Sequence, residues 1–440
     1  MKTTYLLTTF WVTLIISFFV SLLHAVEERP NIVLIISDDQ HWGDYSFMGH
    51  SVLKTPHLDR LAEQGLLFTR GYVPSSLCCP SLASLITGQY PHQHRITSND
   101  PPLPEGMKKS EFYKTQAYHE DRNIMIEQMK KAPTLPKLLA KQGYLSMQTG
   151  KWWLGDYSSG GFTHGMTKGG RHGDEGLKIG RDTMQPIIDF LDLAAKENKP
   201  FFLWYAPMLP HDPHDPPEQF LNNYKDKTSS IQQAKYWGNV ERFDETCGQL
   251  LAELDRRGLN EKTIIVYVCD NGWIQNQNNH GFAPKSKQSP YDGGLRTPII
   301  VRWTGHLVPN RNNINPVSSL DIAPTLLNLA GLEREASQHG INLLDSNTVQ
   351  SRKAIFGECF THDFVDLLRP EKNLRFRWML EDGWKLIVPQ SDKGTELYYL
   401  PDDPNETKNL AKSQQQQQQQ QQRIELMLFK LNSFYNPSKP

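Results

Sequence analysis

Residues 31–37 (NIVLIIS) form a continuous apolar, β-branched run. Such a run predicts a strand buried on both faces, as in a parallel sheet. The carboxylates Asp38 and Asp39 follow at once. Three later segments repeat the pattern. Residues 145–149 lead into Gly150-Lys151, residues 201–206 (FFLWYA) lead toward His211, and residues 263–269 (TIIVYVC) lead into Asp270-Asn271. One strand followed by polar residues means little, because every strand ends in something polar. Four together suggest one shared site, since open α/β sheets gather ligands at the carboxyl ends of their strands.

Helical spacing fills the intervals. Residues 56–64 and 134–142 each stop at a glycine, as does 320–330. The longest pattern, 231–257, carries Val240, Phe243, Cys247, Leu250, Leu251 and Leu254 on one stripe. Strands alternating with helices predict an α/β layered fold. The pattern changes after about residue 345, where 375–380, 384–388 and 396–400 read as short antiparallel strands. Nine consecutive glutamines, 414–422, precede an apolar-periodic helix at 424–431. The glutamine run reads as a solvated helix or a linker. The resulting division is a large α/β unit over 29–346, a small α+β unit over 347–412 and a Gln-rich tail with a C-terminal helix over 413–440. No internal repeat occurs at a solenoid period.

Lys2 precedes an apolar run at 5–23, which ends before Glu27-Glu28-Arg29. This reads as a secretory signal over 1–25, with an uncleaved anchor as the alternative. The expectation is an exported protein, periplasmic or secreted (lysosomal or extracellular in a eukaryote), with no stable membrane insertion after cleavage. The 440 residues carry 47 Lys+Arg against 48 Asp+Glu, a net charge of −1. That balance argues against a nucleic-acid partner. Five cysteines are too few for a disulfide framework.

Asp38, Asp39, Asp270 and Asn271 supply hard oxygen donors, which suit Ca²⁺ or Mg²⁺ better than zinc. Alone, Asp38-Asp39 reads better as a helix cap and Asp270-Asn271-Gly272 as a turn. Pro80 suits the first turn of a helix and places Cys78 just before its N-terminus, where a thiol pKa falls. A buried structural thiol is the competing reading. The segment His211-Asp212-Pro213-His214-Asp215 resembles a metal cluster by composition, but its prolines favour a rigid loop, so only His211 is taken forward. Residues 162–181 hold six glycines among His164, Lys168, Arg171, His172 and Arg181. A Gly-rich basic loop suits an anionic ligand, and a plain surface loop reads equally well. Asn405-Glu406-Thr407 is a glycosylation sequon, meaningful only in a eukaryotic secretory pathway.

The pattern Cys-x-Pro-Ser-x-x-x-x-x-Thr-Gly-x-Tyr-Pro-x-x-His, from Cys78 to His94, resembles the signature of the formylglycine-dependent sulfatases of the alkaline phosphatase superfamily. Other landmarks follow in order. Ile36-Ser37-Asp38-Asp39 and Asp270-Asn271-Gly272 are similar to the family's two metal motifs. Thr55-Pro56-His57-Leu58-Asp59-Arg60-Leu61-Ala62, Gly150-Lys151-Trp152, Pro210-His211 and Lys287 before Asp292-Gly293-Gly294-Leu295-Arg296 match further ones. Asp321-Ile322-Ala323-Pro324-Thr325 and Glu396-Leu397-Tyr398 through Asn409-Leu410-Ala411 complete a match over about 29–412.

The resemblance implies a large mixed, mainly parallel central sheet flanked by helices, with an antiparallel sheet in the smaller C-terminal unit. It implies that a formylglycine-generating maturation enzyme oxidises Cys78, leaving Cys79 as the variable position. One hydroxyl of the hydrated aldehyde attacks sulfur, and the second provides the route by which sulfate is expelled. Asp38, Asp39, Asp270, Asn271 and the modified Cys78 hold one metal, Ca²⁺ with Mg²⁺ as the alternative. Lys151 and Lys287 stabilise sulfate charge, and His211 protonates the leaving oxygen or, if Lys287 does so, makes the second cationic contact.

Two positions depart from the family. It usually carries Arg four residues after the modified cysteine, where this chain has Leu82. It usually carries His after Lys-Trp, where this chain has Trp153. The first change bears on recognition by the maturation enzyme, and the second removes a partner of the formylglycine hydrate. His94, His172 and Arg181 are the basic residues available to compensate. The function expected is hydrolysis of a sulfate monoester on a sulfated small molecule or glycan. The rival readings are a phosphodiester or phosphonate monoester hydrolase of the same superfamily, and a weakened, glycan-binding sulfatase-like protein.

Overall fold

The apolar run at 31–37 is the centre of the molecule. In the computed structural model, which describes residues 29–391 and 393–434, it forms strand β1 (Asn31–Ser37). The expected secretory segment lies outside the described residues. Among the described residues, no helix is long and apolar enough to cross a membrane.

The strands continue as β2 (Leu66–Tyr72), β3 (Leu145–Gly150), β4 (His164–Gly165), β5 (Phe201–Ala206), β6 (Thr263–Cys269), β7 (Arg296–Arg302), β8 (Asn310–Asn312) and β9 (Val317–Ser318). They make one sheet in the order β4-β3-β5-β1-β6-β7-β2-β8, with β9 beside β2. Its two faces are buried alternately along β1. Ile32, Leu34 and Ile36 pack with Leu85 and Ile86 of the Cys78–Thr87 helix and with Leu326 of the Ile322–Leu329 helix. Val33 and Ile35 pack on the opposite face with Phe243 and Leu250 of the Ile231–Arg256 helix. Each such buried side chain contributes about 1.5–3 kcal/mol. The mixed, mainly parallel sheet with helices on both faces agrees with the expected α/β class.

Strand direction decides where the polar residues go. β1 is parallel to β5 and β6, and β3 is parallel to β5. β7 runs antiparallel to both β6 and β2. The carboxyl ends of β1, β2, β3, β5 and β6 therefore share one edge with the amino end of β7.

A second sheet, antiparallel throughout, contains β10 (Ala354–Phe360), β11 (Leu374–Glu381), β12 (Trp384–Pro389) and β13 (Glu396–Tyr399). The pattern reading anticipated β11 to β13 and missed β10. Gly357 and Glu358 interrupt its apolar run. Each has a reason to be there: Gly357 lies against the Trp378 ring, and the Glu358 carboxylate pairs with His92. The reading also missed the Gln116–Lys131 helix, whose buried stripe Tyr118, Arg122, Met125 and Met129 includes an arginine. The glutamine run is not a linker. It is the first half of one helix, Gln414–Phe434, whose Ile424, Met427 and Leu431 pack on Met379, Leu386 and Leu397.

Buried salt bridges join the two sheets. Lys385 of β12, fully buried, lies 2.8 Å from Asp292 Oδ1 and 2.9 Å from Glu406 Oε1. The other oxygens are also engaged. Asp292 Oδ2 accepts from Tyr72 Oη at 3.0 Å, and Glu406 Oε2 accepts from the Asp292 backbone N–H at 2.7 Å.

Candidate active site

Four strand ends deliver the site. Asp38 and Asp39 leave β1, Lys151 leaves β3, His211 follows β5, and Asp270 and Asn271 leave β6. Gly150 makes one of these exits feasible. Its φ is +75°, and an added Cβ would stand 1.8 Å from the Ala206 carbonyl oxygen, so only glycine permits this close approach of the end of β3 to β5. Lys151, whose N–H donates to that same carbonyl at 2.6 Å, is thereby turned inward.

Lys151 is 1% exposed, with Nζ 2.5 Å from Asp38 Oδ2 and 3.4 Å from Asp270 Oδ2. Lys287 Nζ lies 2.7 Å from Asp39 Oδ2 and 5.5 Å from the centre of the Trp273 ring. Asn271 Nδ2 donates to Asp39 Oδ1 at 2.6 Å. Asp270 Oδ1 accepts from the backbone N–H groups of Asp39 and Asn271, at 3.1 and 2.7 Å. His211 places Nε2 3.4 Å from Asp39 Oδ2 and Nδ1 2.5 Å from the Asp212 carbonyl.

Cys78 is the first residue of its helix, with Leu77 as the cap, rather than the residue before it. Ligand atoms of Asp38, Cys78 and His211 lie within 4.8 Å of one another, as do those of Asp38, Asp39 and Asp270. The structure therefore brings together all eight residues singled out from the sequence. His214, in the same loop as His211, stands apart between the rings of Tyr236 and Trp273.

Burial raises the Asp38 carboxyl against the pull of Lys151, and neighbouring Asp39 adds to the rise. Burial, then Asp38, pushes Asp270 up to about 7. Asp39 goes the other way: burial opposes its ionisation, but Lys287, His211 and Lys151 together outweigh it and hold the carboxyl low. Burial lowers His211 to about 4, with Asp39 opposing. The Cys78 thiol does not follow the helix N-terminus rule. Burial pushes it up to about 12 despite Lys151 and Lys287, so the unmodified thiol is protonated and a poor nucleophile.

The donor set fits a hard cation. Three buried carboxylates face two lysines. Asp38 Oδ1 and Asn271 Oδ1 are buried with no hydrogen-bond partner. Oxygen donors with free lone pairs and excess negative charge suit Ca²⁺ or Mg²⁺.

A family model described as Sulfatase matches residues 30–332, more than half of the chain. The chain belongs to the sulfatase family. A second model, N-sulphoglucosamine sulphohydrolase, C-terminal, matches residues 279–433 of this sulfatase-family chain. Rat N-acetylgalactosamine-6-sulfatase is 28% identical over 365 residues, covering 72% of this chain and 65% of the relative. This family member thus spans just under two thirds of that relative's length. A protein solved in complex with its substrate D-glucosamine-2-N,6-O-disulfate superposes with a TM-score of 0.70 at 21% identity, covering 94% of this chain and all of the other. The phosphonate monoester hydrolase of Agrobacterium radiobacter gives 0.68 at 18% identity, covering 92% and 96%. Both structures show the shared fold.

Beside the eight residues lies a group that the sequence marked only faintly. Arg171 grips Asp100 with two hydrogen bonds, Nε to Oδ1 at 2.9 Å and Nη2 to Oδ2 at 2.8 Å. Its guanidinium lies over the Trp153 ring, 4.6 Å from the centre. The Gly-rich stretch around Arg171 was a usable signal. Asp100, in a Ser-Asn-Asp-Pro-Pro segment, gave none. Leu82 is buried in the core beside Cys78 and Cys79, at 4% exposure.

Proposed function

We propose that this chain is an exported sulfatase that hydrolyses a sulfate monoester on a sulfated carbohydrate, using formylglycine derived from Cys78 and one divalent cation. The observation that carries the reading is the position of Cys78. It begins a helix whose N-terminus opens onto three buried carboxylates, two buried lysines and His211. A helix N-terminus favours an anion at that point. The rat relative is named for an N-acetylgalactosamine sulfate, and one fold neighbour was solved with a disulfated glucosamine. Both support a sulfated sugar as the substrate class.

Asp38, Asp39, Asp270 and Asn271, with the modified Cys78, would hold Ca²⁺, with Mg²⁺ the alternative. When bound, the cation supplies a Lewis acid that polarises the sulfate and acidifies the attacking hydroxyl. Conversion of Cys78 to formylglycine by a maturation enzyme supplies that hydroxyl, where the thiol itself is held protonated. Lys151 and Lys287, fixed by Asp38 and Asp39, stabilise charge on the sulfate oxygens. His211 protonates the leaving oxygen. An anion bound between the two lysines offsets their charge and raises the proton affinity of the imidazole. The catalytic unit is taken as 29–346 and the small unit as 347–412. Export rests on the N-terminal sequence.

Mass spectrometry of the tryptic peptide 71–95, from protein made in its native host, tests the modification. A loss matching thiol-to-aldehyde conversion at Cys78 is expected. An unmodified thiol, in a host that matures other sulfatases, overturns the mechanism and turns the reading to a glycan-binding protein. Turnover of an aryl phosphodiester in preference to an aryl sulfate overturns the substrate class.

A further inference from the structure

Trp153 stands where the family usually carries His, and an indole has no ring nitrogen that can accept a hydrogen bond. Its indole Nε1 is buried without a partner. Three basic residues lie near enough in sequence or space to stand in for the family's histidine. Two are already committed. His94 Nε2 is 3.0 Å from Ser84 Oγ within the fold, and its Nδ1 accepts from the Ile96 N–H at 3.1 Å. Arg181 spends Nε on the Pro207 carbonyl at 3.0 Å and Nη2 on the Met208 carbonyl. Arg181 thus braces the loop that carries His211.

The third, His172, is placed differently. Its ring centre is 4.4 Å from that of Trp153 and 5.6 Å from that of His211, edge to face with both. Lys151, His211 and Lys287 all act on it electrostatically. Its backbone is clamped to the floor of the site. The His172 carbonyl accepts from the Trp152 N–H at 3.0 Å. Next to it Gly173, with φ +121°, lies so close to the Gly150 carbonyl that a Cβ would stand 2.4 Å away. His172 itself is held at φ +69°, a left-handed conformation that costs a side-chain-bearing residue and persists only where the surroundings enforce it.

The tautomer is also fixed. Arg171 Nη1 is 2.9 Å from His172 Nε2. A guanidinium can only donate, so Nε2 must accept and the ring proton sits on Nδ1. Arg171 is in turn held by Asp100 and by the faces of Trp153 and Tyr113. Nδ1 makes no hydrogen bond within the described residues. The result is a neutral imidazole with one free N–H, rigidly mounted against the Trp153 and His211 rings and within electrostatic reach of two buried lysines.

We propose that His172 is a substrate-contacting residue that donates Nδ1–H to a non-bridging oxygen of the bound sulfate ester, and that Arg171 is the positioning residue that fixes its tautomer. A sulfate ester presents three such oxygens. Lys151 and Lys287 supply donors for two, and a neutral N–H serves the third without adding a further cation to the site. This inference rests on the sulfatase reading above.

The test uses the full chain with Ca²⁺ supplied, and inorganic sulfate and an aryl sulfate as probes. His172→Gly removes the donor and relieves the positive φ, so it should fold. His172→Asn keeps an N–H near the position of Nδ1 in a residue that tolerates that φ. Calorimetric sulfate affinity should fall about tenfold or more in His172→Gly, as expected for losing a hydrogen bond to a charged group. KM for the aryl sulfate should rise with it, melting temperature should hold, and His172→Asn should recover most of both. Arg171→Lys, which keeps a donor toward Nε2, should be affected less than Arg171→Met, which has none. Sulfate affinity in His172→Gly equal to wild type, with wild-type turnover intact, overturns the inference. A wild-type protein that neither binds sulfate nor turns over the ester overturns the sulfatase reading instead.

Discussion

Two buried charge clusters in this molecule look alike in composition and differ in closure. In one, Lys385 sits between Asp292 and Glu406 with Arg296 3.9 Å from Asp292, so charges balance, and all four carboxylate oxygens have a hydrogen-bond or ion-pair partner. In the other, Asp38, Asp39 and Asp270 outnumber Lys151 and Lys287, and Asp38 Oδ1 and Asn271 Oδ1 face no donor. A closed cluster joins two sheets. An open one, with unspent lone pairs and surplus negative charge, is built to receive something cationic. The lesson is that burial of charge alone does not mark a functional site. Incomplete satisfaction does, because an orphaned buried polar group is costly unless a ligand completes it.

This contrast can be broken by mutation. The largest effect should come from Cys78→Ala in the open cluster. Turnover of a sulfate ester should drop by roughly 10⁴-fold or more, as for loss of a nucleophile, while the melting temperature stays put. Asp270→Asn should behave in the same direction. It keeps the Oδ1 acceptor for two N–H groups and removes a charge that burial disfavours. Activity should collapse, the rise in melting temperature on adding Ca²⁺ should shrink, and the metal-free protein should melt no lower than wild type. A clear drop in the metal-free melting temperature would show that the open cluster carries structural weight after all.

The closed cluster should respond in stability. Lys385→Met strands two buried carboxylates and should cost about 3–5 kcal/mol in chemical denaturation. Glu406→Gln sharpens the point through pH. Burial, with Asp292 adding to it and Lys385 opposing, raises Glu406 to about 7. The folded state therefore holds this proton more tightly than the unfolded chain does. Its contribution is full below the ordinary glutamate pKa of 4.5 and is lost as pH rises through about 7. Melting curves from pH 4.5 to 7.5 should show Glu406→Gln gaining on wild type as pH rises, and parallel curves would refute the assignment. The smallest effect belongs to charges in water. Glu127→Gln removes an exposed i,i+3 pair with Lys130 and should leave the melting temperature unchanged within error.

Much of the site was legible before any coordinates. Apolar runs that end in Asp-Asp, Gly-Lys and Asp-Asn signal strand ends with chemistry attached, and the ordered motifs tie Cys78, His211 and Lys287 to them. The Cys78 environment was read less well. A helix N-terminus predicts an acidified thiol, and the structure buries the sulfur so deeply that desolvation wins. β10 escaped notice because its glycine and glutamate serve contacts from other parts of the chain, Trp378 and His92.

The sequence by itself determined the α/β class, the strands that carry the polar residues and the choice of the eight candidate site residues. The class and the strands follow from local periodicity, and the eight residues from the ordered motifs that resemble those of the sulfatases, all of which can be read along the chain. Only the tertiary structure decided which charges are paired and which are left open, that His94 and Arg181 are spent on the fold, and that His172 is held with its N–H free. Those are properties of contacts between segments as far apart as Asp100 and Arg171, or Asp292 and Lys385. No local pattern encodes them, because they arise from packing, burial and strand direction acting together.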